Sequence, residues 1–534
     1  MNGNEMRYFL RIASVLCVCA AYCGANIAAG QDIRPADTVR TASAGAFRKS
    51  EAQKYIDLKM EEEPFRSGLA GILAVTVKGD TLAEYCSRRK MIPASNMKLV
   101  TTGLALNGLG TGYRFTTRLG YTGHVADGIL HGDLYIIGGG DPTLASGDKI
   151  APSADSLFSM WKSALTRAGI KKIDGLVIGD GRFFDGGLEN ENWSYNDLGT
   201  DYGAGGNGLC FNRNIQTFSV SPTAPGSPVE ASAAYPSTPW LRFRVNAVTA
   251  SAGSGDNLYL FDTDMAPVAE LRGSLGIDKG KRTLKGSNKF GALTCAWNFA
   301  QYLKHCGIAV SGAADVDAWG DVREAGQMML RGVEKPSSRR AAEAADIHEI
   351  GRFRSPSLLS IARVTNERSD NFYAETLFRM LSKERTGSAC YDSAAVMVLR
   401  ELETLGVDCS SGVRIVDGSG LARHNYLSPD FFCRFLSAMA GTQVAGTYAV
   451  TLSPAGGSRL RGYPESLRSR VRMKSGSMNG VLCYSGYILP ASASVAGKVL
   501  PEDTVVFSIM TNNIVDGQSS VRSFIDTLLA MLSR

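Results

Sequence analysis

Histidine is scarce in this chain: five residues in 534, at His124, His131, His305, His348 and His424. None pairs with another at metal-ligand spacing and there is no C-x-x-C, so a structural zinc is not expected. There is no G-x-S-x-G, so the nucleophile elbow of an α/β-hydrolase is absent. Histidines this scattered give no support to a Ser-His-Asp triad, and His424 reads as structural. No stretch reaches ~18 uninterrupted apolar residues, which argues against a membrane-spanning helix. Charge of one sign is also lacking: 57 Lys and Arg against 51 Asp and Glu leave +6. A nucleic-acid binder concentrates basic residues in a stripe, and none is expected as a partner here. What remains is an ordinary globular composition, 44% hydrophobic and 20% charged. The length calls for two or more domains.

The N-terminus has a pattern of its own. Arg7 and Arg11 precede an apolar run over residues 12–25, and Ala28, Ala29 and Gly30 follow. A basic start, a short apolar core and a small-residue exit predict a secretory signal peptide over residues 1–30. The mature protein is then exported to the bacterial periplasm or cell envelope, with no transmembrane anchor. Lipid anchoring at Cys23 is disfavoured, because the preceding Tyr22 is bulky. Eight cysteines remain beyond residue 30: Cys86, Cys210, Cys295, Cys306, Cys390, Cys409, Cys433 and Cys483. An even number in an exported chain permits disulfides, among ~105 possible pairings.

Residues 71–77 are an apolar run, and Lys78-Gly79-Asp80-Thr81 turns the chain into residues 82–87, a β-hairpin signal. Pro93-Ala94-Ser95 opens a helical pattern with Met97, Val100, Leu104 and Leu106, ended by Gly108 and Gly110. From about 116 to 344 short β-like runs alternate with turns, and helical patterns are sparse. Residues 326–346 are largely polar and read as a loop or linker. Helices are expected over 357–366, 371–381 and 519–532, and strands over 481–489 and 504–510. The first hairpin and the last strands and helix read as two ends of one domain. That gives residues 31–115 and 345–534 as its two parts, with 116–344 inserted.

Ser95-Asn96-Met97-Lys98 puts a hydroxyl and an amine on one helix face. A desolvated, neutral lysine can take the hydroxyl proton as the oxygen attacks a carbonyl. Four S-x-x-K matches occur, beginning at Ser87, Ser95, Ser146 and Ser159. Only Ser95 stands at the start of an amphipathic helix, where the dipole favours developing negative charge. Ser369-Asp370-Asn371 begins another helical pattern, where each residue is also a good N-cap. Lys474-Ser475-Gly476 leads into a strand. Gly203-x-Gly205-x-x-Gly208 matches a dinucleotide fingerprint, but no apolar strand precedes it, so it reads as a loop.

The order S-x-x-K, S-x-N, K-[ST]-G belongs to penicillin-binding proteins and class A β-lactamases. The chain resembles the class C low-molecular-mass penicillin-binding proteins, the D-alanyl-D-alanine carboxypeptidase/endopeptidases of peptidase family S13. Residues 132–144, 417–425 and 455–461 add to the resemblance, which runs from about 65 to the C-terminus. One departure is Ser475, where threonine is usual. The resemblance implies an α/β (α+β) β-lactamase/transpeptidase-like fold: an antiparallel sheet flanked by helices, with β-rich domains inserted between the first and second motifs. It implies Ser95 as nucleophile, Lys98 as its base, Ser369 as proton relay and Asn371 as support for Lys98 and substrate. Lys474 with Ser475 would bind the terminal carboxylate, beside Gly476 and Ser477. The N–H groups of Ser95 and Ser477 would form the oxyanion hole. Implied partners are peptidoglycan stem peptides and β-lactam antibiotics, with no metal or organic cofactor. A serine β-lactamase and a non-catalytic wall-binding or β-lactam-sensing protein are the alternatives. The only E-x-x-x-N here, Glu367 to Asn371, overlaps the second motif, which speaks against a class A β-lactamase.

Overall fold

The segment Val505–Asn512 is buried along its whole length. By the two-residue period of a strand, Val505, Phe507 and Ile509 enter one apolar cluster, and Val506 and Met510 another. A strand apolar on both faces needs a cover on each. The structure, a computed structural model, describes residues 49–534 except 318–319, 332–338, 344–345, 411, 455–464 and 492–498. The signal-peptide reading, Cys23 and the 455–461 segment lie outside the described residues.

The chain begins with α1 (Glu51–Met60), the hairpin β1 (Leu69–Thr76) and β2 (Thr81–Tyr85), and α2 (Met97–Leu109). Next come β3 (Thr116–Tyr121), β4 (His124–Ala126), β5 (Ile129–His131), β6 (Leu134–Ile137), α3 (Ala154–Arg167) and β7 (Lys172–Asp180). Six strands follow: β8 (Ile215–Ser221), β9 (Glu230–Tyr235), β10 (Arg242–Ala250), β11 (Tyr259–Asp262), β12 (Val268–Gly276) and β13 (Arg282–Ser287). After them come α4 (Gly291–His305), β14 (Val310–Val316), β15 (Val322–Glu324), α5 (Ala325–Arg331) and β16 (His348–Arg354). The helices α6 (Leu358–Arg368), α7 (Asn371–Thr386), α8 (Tyr391–Thr404), α9 (Pro429–Ala440) and α10 (Ala445–Ala449) succeed one another. The chain closes with β17 (Ser453–Pro454), α11 (Glu465–Arg468), β18 (Val471–Met478), β19 (Val481–Ile488), β20 (Val505–Asn512) and α12 (Gln518–Leu532).

One antiparallel six-stranded sheet, in the order β17-β18-β19-β20-β1-β2, joins the first hairpin to the last strands. Ile56 and Met60 of α1 and Phe524 and Leu528 of α12 cover one face. Leu104 of α2 and Phe435 and Leu436 of α9 cover the other. Each such side chain contributes about 1.5–3 kcal/mol by leaving water. This is the β-lactamase/transpeptidase-like arrangement expected from the motifs.

The stretch from β3 to β16 builds an eight-stranded mixed sheet, in the order β15-β14-β7-β6-β3-β16 with β4 and β5 alongside. Two three-stranded sheets, β13-β8-β9 and β10-β12-β11, share a small core of Phe218, Val220, Leu260 and Leu271. Helix is less sparse here than the sequence reading expects. Strands β6, β7 and β14 run parallel, and parallel neighbours need crossovers. Helices α3 and α4 supply them, with Trp161 edge-on to Phe299 at 5.2 Å between ring centroids. Residues 326–331, read as part of a polar linker, belong to α5, where Ala325 and Met328 are buried. Residues 204–208 carry no regular structure, as the dinucleotide-like glycines suggested. No described helix is long and apolar enough to cross a membrane. All eight described cysteines are free thiols, so none of the disulfides that their even number permits is formed.

Candidate active site

A 3-10 turn, Ala94–Asn96, precedes α2. Asn96 Nδ2 donates to Ser485 Oγ at 2.8 Å, which fastens the turn to β19. Ser95 is half-buried, while Lys98, one turn on, is fully buried. Lys98 Nζ lies 3.0 Å from Ser95 Oγ, 2.6 Å from Asn371 Oδ1 and 2.7 Å from the Ser419 carbonyl. Two of these partners are carbonyl oxygens and accept only. A neutral amine has two hydrogens for them and one lone pair, which then faces the Ser95 hydroxyl. Burial brings Lys98 down from 10.5 to about 8, against the pull of Glu375, Asp417 and Asp370. About a tenth of the lysines are then neutral at pH 7.

The sequence places Ser369 at a helix start; the structure places it between two helices. It caps the C-terminus of α6 in the left-handed region, φ 57 and ψ 39. Such a conformation costs a non-glycine residue about 1–3 kcal/mol and persists only where neighbours enforce it. Here Arg368 pairs with Asp148, and Asp370 pairs with Arg213 at 2.6 Å. Asp370 also caps α7 by accepting from the Tyr373 amide at 2.9 Å. Asn371, the first residue of α7, donates from Nδ2 to the Tyr202 carbonyl at 2.9 Å. Asp148, Tyr202 and Arg213 all come from the 116–344 stretch.

Lys474 is buried on β18 and donates to Ser369 Oγ at 3.0 Å and to the Ser475 carbonyl at 2.7 Å. Two residues on, the strand crosses the Ser95 turn. A Cβ on Gly476 would lie 2.6 Å from the Pro93 carbonyl and 2.8 Å from the amides of Ser95 and Asn96. Only glycine permits that approach. Ser475 is half-buried and Ser477 exposed.

Ser95, Asn371 and Ser477 line one cleft of about 380 Å³. Lys98 is buried behind it, and Lys474 with Ser369 forms an adjoining bonded pair. Lys474, Ser475 and Gly476 are not part of the lining. Ser87, Ser146 and Ser159 have other roles: Ser87 bonds Glu84, Ser146 accepts from the Asp148 amide, and Ser159 is exposed on α3. His424 is exposed rather than structural.

Sequence reasoning missed Asp197, Tyr202, Met478 and Asn479, which complete the cleft together with Gly420, Leu421 and Arg423 of the 417–425 segment. No motif marks Asp197 or Tyr202, and only the fold brings them there. It also missed a layer behind Lys98. Asp417 folds its own loop by accepting from the amides of Gly420 and Ala422, and so aims the Ser419 carbonyl at the lysine. The Asp-Gly-Ser-Gly run was a usable signal for that tight loop. At Gly420, φ is 80 and a Cβ would collide with the Ala94 carbonyl.

Known proteins are similar to this chain. A D-alanyl-D-alanine carboxypeptidase of an Actinomadura species is 28% identical over 494 residues, 88% of this chain and 82% of that protein. D-alanyl-D-alanine carboxypeptidase DacB of Haemophilus influenzae is 24% identical over 79% of this chain and 82% of its own. The crystal structure of penicillin binding protein 4 (dacB) from Haemophilus influenzae superimposes with a TM-score of 0.72 at 21% identity. That match covers 90% of this chain and 99% of the other. The sequence model of the D-Ala-D-Ala carboxypeptidase 3 (S13) family matches residues 52–532. With the motif serines and lysines gathered as described, the chain belongs to that family, the serine-type S13 penicillin-binding proteins.

Proposed function

We propose that the protein removes the terminal D-Ala from peptidoglycan stem peptides and cuts D-Ala cross-links, through an acyl-enzyme on Ser95. β-Lactams acylate the same serine. The carrying observation is the buried Lys98 amine, with two carbonyl acceptors and its third contact on Ser95 Oγ. Ser95 Oγ attacks the D-Ala carbonyl carbon while Lys98 takes its proton. The N–H groups of Ser95 and Ser477 receive the oxyanion, a contact worth ~100–1,000-fold in rate per donor. The bond to the leaving nitrogen then breaks, and the proton taken by Lys98 is returned to the amine by way of Ser369, whose hydroxyl Lys474 holds at 3.0 Å. Lys474 and Ser475 hold the terminal carboxylate. Water releases the acyl group. These residues complete the cycle without a metal or organic cofactor.

The same reading has residues 31–115 and 345–534 as one catalytic domain, 116–344 as an insertion, and residues 1–30 as the signal for export to the cell envelope. The second boundary moves past β16, because His348–Arg354 pairs with β3 in the inserted sheet. The continuous six-stranded sheet built from both ends supports the division. Mass spectrometry of muropeptides after incubation with purified protein tests the activity. Loss of terminal D-Ala and scission of cross-links are the expected products. Muropeptides left unchanged by protein that binds penicillin would refute the catalytic reading.

A further inference from the structure

Two carboxyl groups that the reaction does not use are buried beside Lys98. Glu375 lies on α7 one turn beyond Asn371, and Asp417 heads the loop that carries Ser419. Their surroundings are unequal. Asp417 accepts four hydrogen bonds: at Oδ1 from the Gly420 amide (2.9 Å) and Asn425 Nδ2 (2.8 Å), and at Oδ2 from the Ala422 amide (2.7 Å) and Trp193 Nε1 (3.0 Å). A carboxylate with about four lone-pair sites, each facing a donor, has no place for a proton. Glu375 accepts two from the backbone, at Oε1 from the Ser419 amide (2.7 Å) and at Oε2 from the Gly418 amide (3.1 Å), with the Ser419 hydroxyl also against it. The longer contact leaves Oε2 as the oxygen able to carry one.

The other charged and titratable groups around the pair are accounted for. Asp370, on the Lys98 side, is held by Arg213. On the far side Tyr391 is pushed well above its usual range by burial. Arg379 gives its guanidinium to the carbonyls of Ala389, Gly206 and Asp185. Neither side supplies a cation bonded to Glu375. When Lys98 is neutral, as the attack on a carbonyl requires, two ionised carboxylates in this buried place would repel each other and draw the lysine back to ammonium.

We propose that the Glu375–Asp417 pair carries a single negative charge beside Lys98, Asp417 being the ionised member and Glu375 the protonated one, so that Lys98 keeps a neutral, base-competent population. Glu375 is thereby a positioning residue for the reaction, and the proposal rests on the reading of Lys98 as base. Burial first, and the Asp417 charge second, hold Glu375 well above the usual carboxylate range; burial lifts Asp417 too, but there the donors Ala422, Asn425, Trp193 and Gly420 oppose it. Like carboxyl pairs elsewhere, the two divide their roles by environment.

The test compares wild type with Glu375→Gln. Near pH 6 the infrared difference spectrum, wild type minus Glu375→Gln, should contain the carbonyl band of a protonated buried carboxyl; Asp141, which burial lifts to about 6, contributes to both proteins and cancels. The acid limb of penicillin acylation should stay within about half a pH unit in this variant, because glutamine copies the neutral member. Adding Asp417→Asn removes the last negative charge, and the limb should move to lower pH by about one unit or more. A merely structural role would lower the amount of active protein without moving the limb. The proposal is overturned if the difference spectrum lacks the carbonyl band, or if Glu375→Gln alone moves the limb by a full unit. Should the double variant not fold, the infrared comparison decides by itself. Absence of any wild-type acylation at Ser95 would instead overturn the functional reading, while the band still reports on Glu375.

Discussion

Replacing Lys98 by methionine separates what this side chain does for folding from what it does for chemistry. Methionine keeps the length and apolar stem of the lysine but has no proton to lose. In the folded chain burial moves the amine from 10.5 to about 8. At about 1.4 kcal/mol per pH unit, that displacement corresponds to about 3 kcal/mol. Between about pH 8 and 10.5 the unfolded chain binds a proton at this lysine that the folded chain does not, so stability rises with pH across that window. Below pH 8 both states carry the proton, and folding bears the full cost of burying the ammonium. Urea denaturation of wild type and Lys98→Met at a series of pH values isolates the effect. Wild type should gain about 3 kcal/mol on the variant between pH 8 and 10.5. Penicillin acylation by the variant should fall by ~100-fold or more, the lower range for a positioned general base. A stability difference that stays flat across that pH window would refute the neutral buried amine. So would a variant that acylates at the wild-type rate.

Gly476→Ala places a Cβ against the backbone of Pro93, Ser95 and Asn96; acylation should drop by ~100-fold through loss of an oxyanion donor, and a wild-type rate in stopped-flow assays would contradict that. Arg213→Ala leaves the Asp370 carboxylate buried and unpaired, and urea denaturation should show a loss of about 3–5 kcal/mol, against no change if the pair were idle. Deleting residues 116–344 removes Asp148, Tyr202 and Arg213 from the surroundings of Ser369 and Asn371. The deletion protein should therefore acylate far more slowly than wild type; an unchanged rate would show that these contacts are dispensable. The eight cysteines from Cys86 to Cys483 should all alkylate in denaturant without a reductant, and any pair that needs reduction first would show a disulfide.

Much of this was legible in the chain because it depends on local rules. The hairpin turn at 78–81, the short apolar strand runs and the helix behind Pro93 follow from pattern and turn chemistry. The three motifs stood out because each pairs a hydroxyl with an amine or amide at a fixed short spacing. What escaped notice depends on distant contacts. The 116–344 stretch hid α4 because Gly- and Pro-rich connections between elements dominate its texture, whereas Leu157, Phe158, Trp161 and Leu165 keep the helical spacing that marks α3 around Ser159. Asp197 and Tyr202 reach the cleft, and Asp148 and Arg213 brace Ser369, only through tertiary packing. No local pattern marks Glu375 either: a lone glutamate on a helix reads as solvent-facing until the fold buries it.

The central claim is that Ser95, driven by Lys98, is the acyl carrier. Intact-mass measurement followed by peptide mapping after exposure to penicillin tests it most directly. The account predicts one adduct per chain, on the peptide containing Ser95, and none after Ser95→Ala. An adduct on Ser87, Ser146 or Ser159, or no adduct on folded wild-type protein, would contradict it.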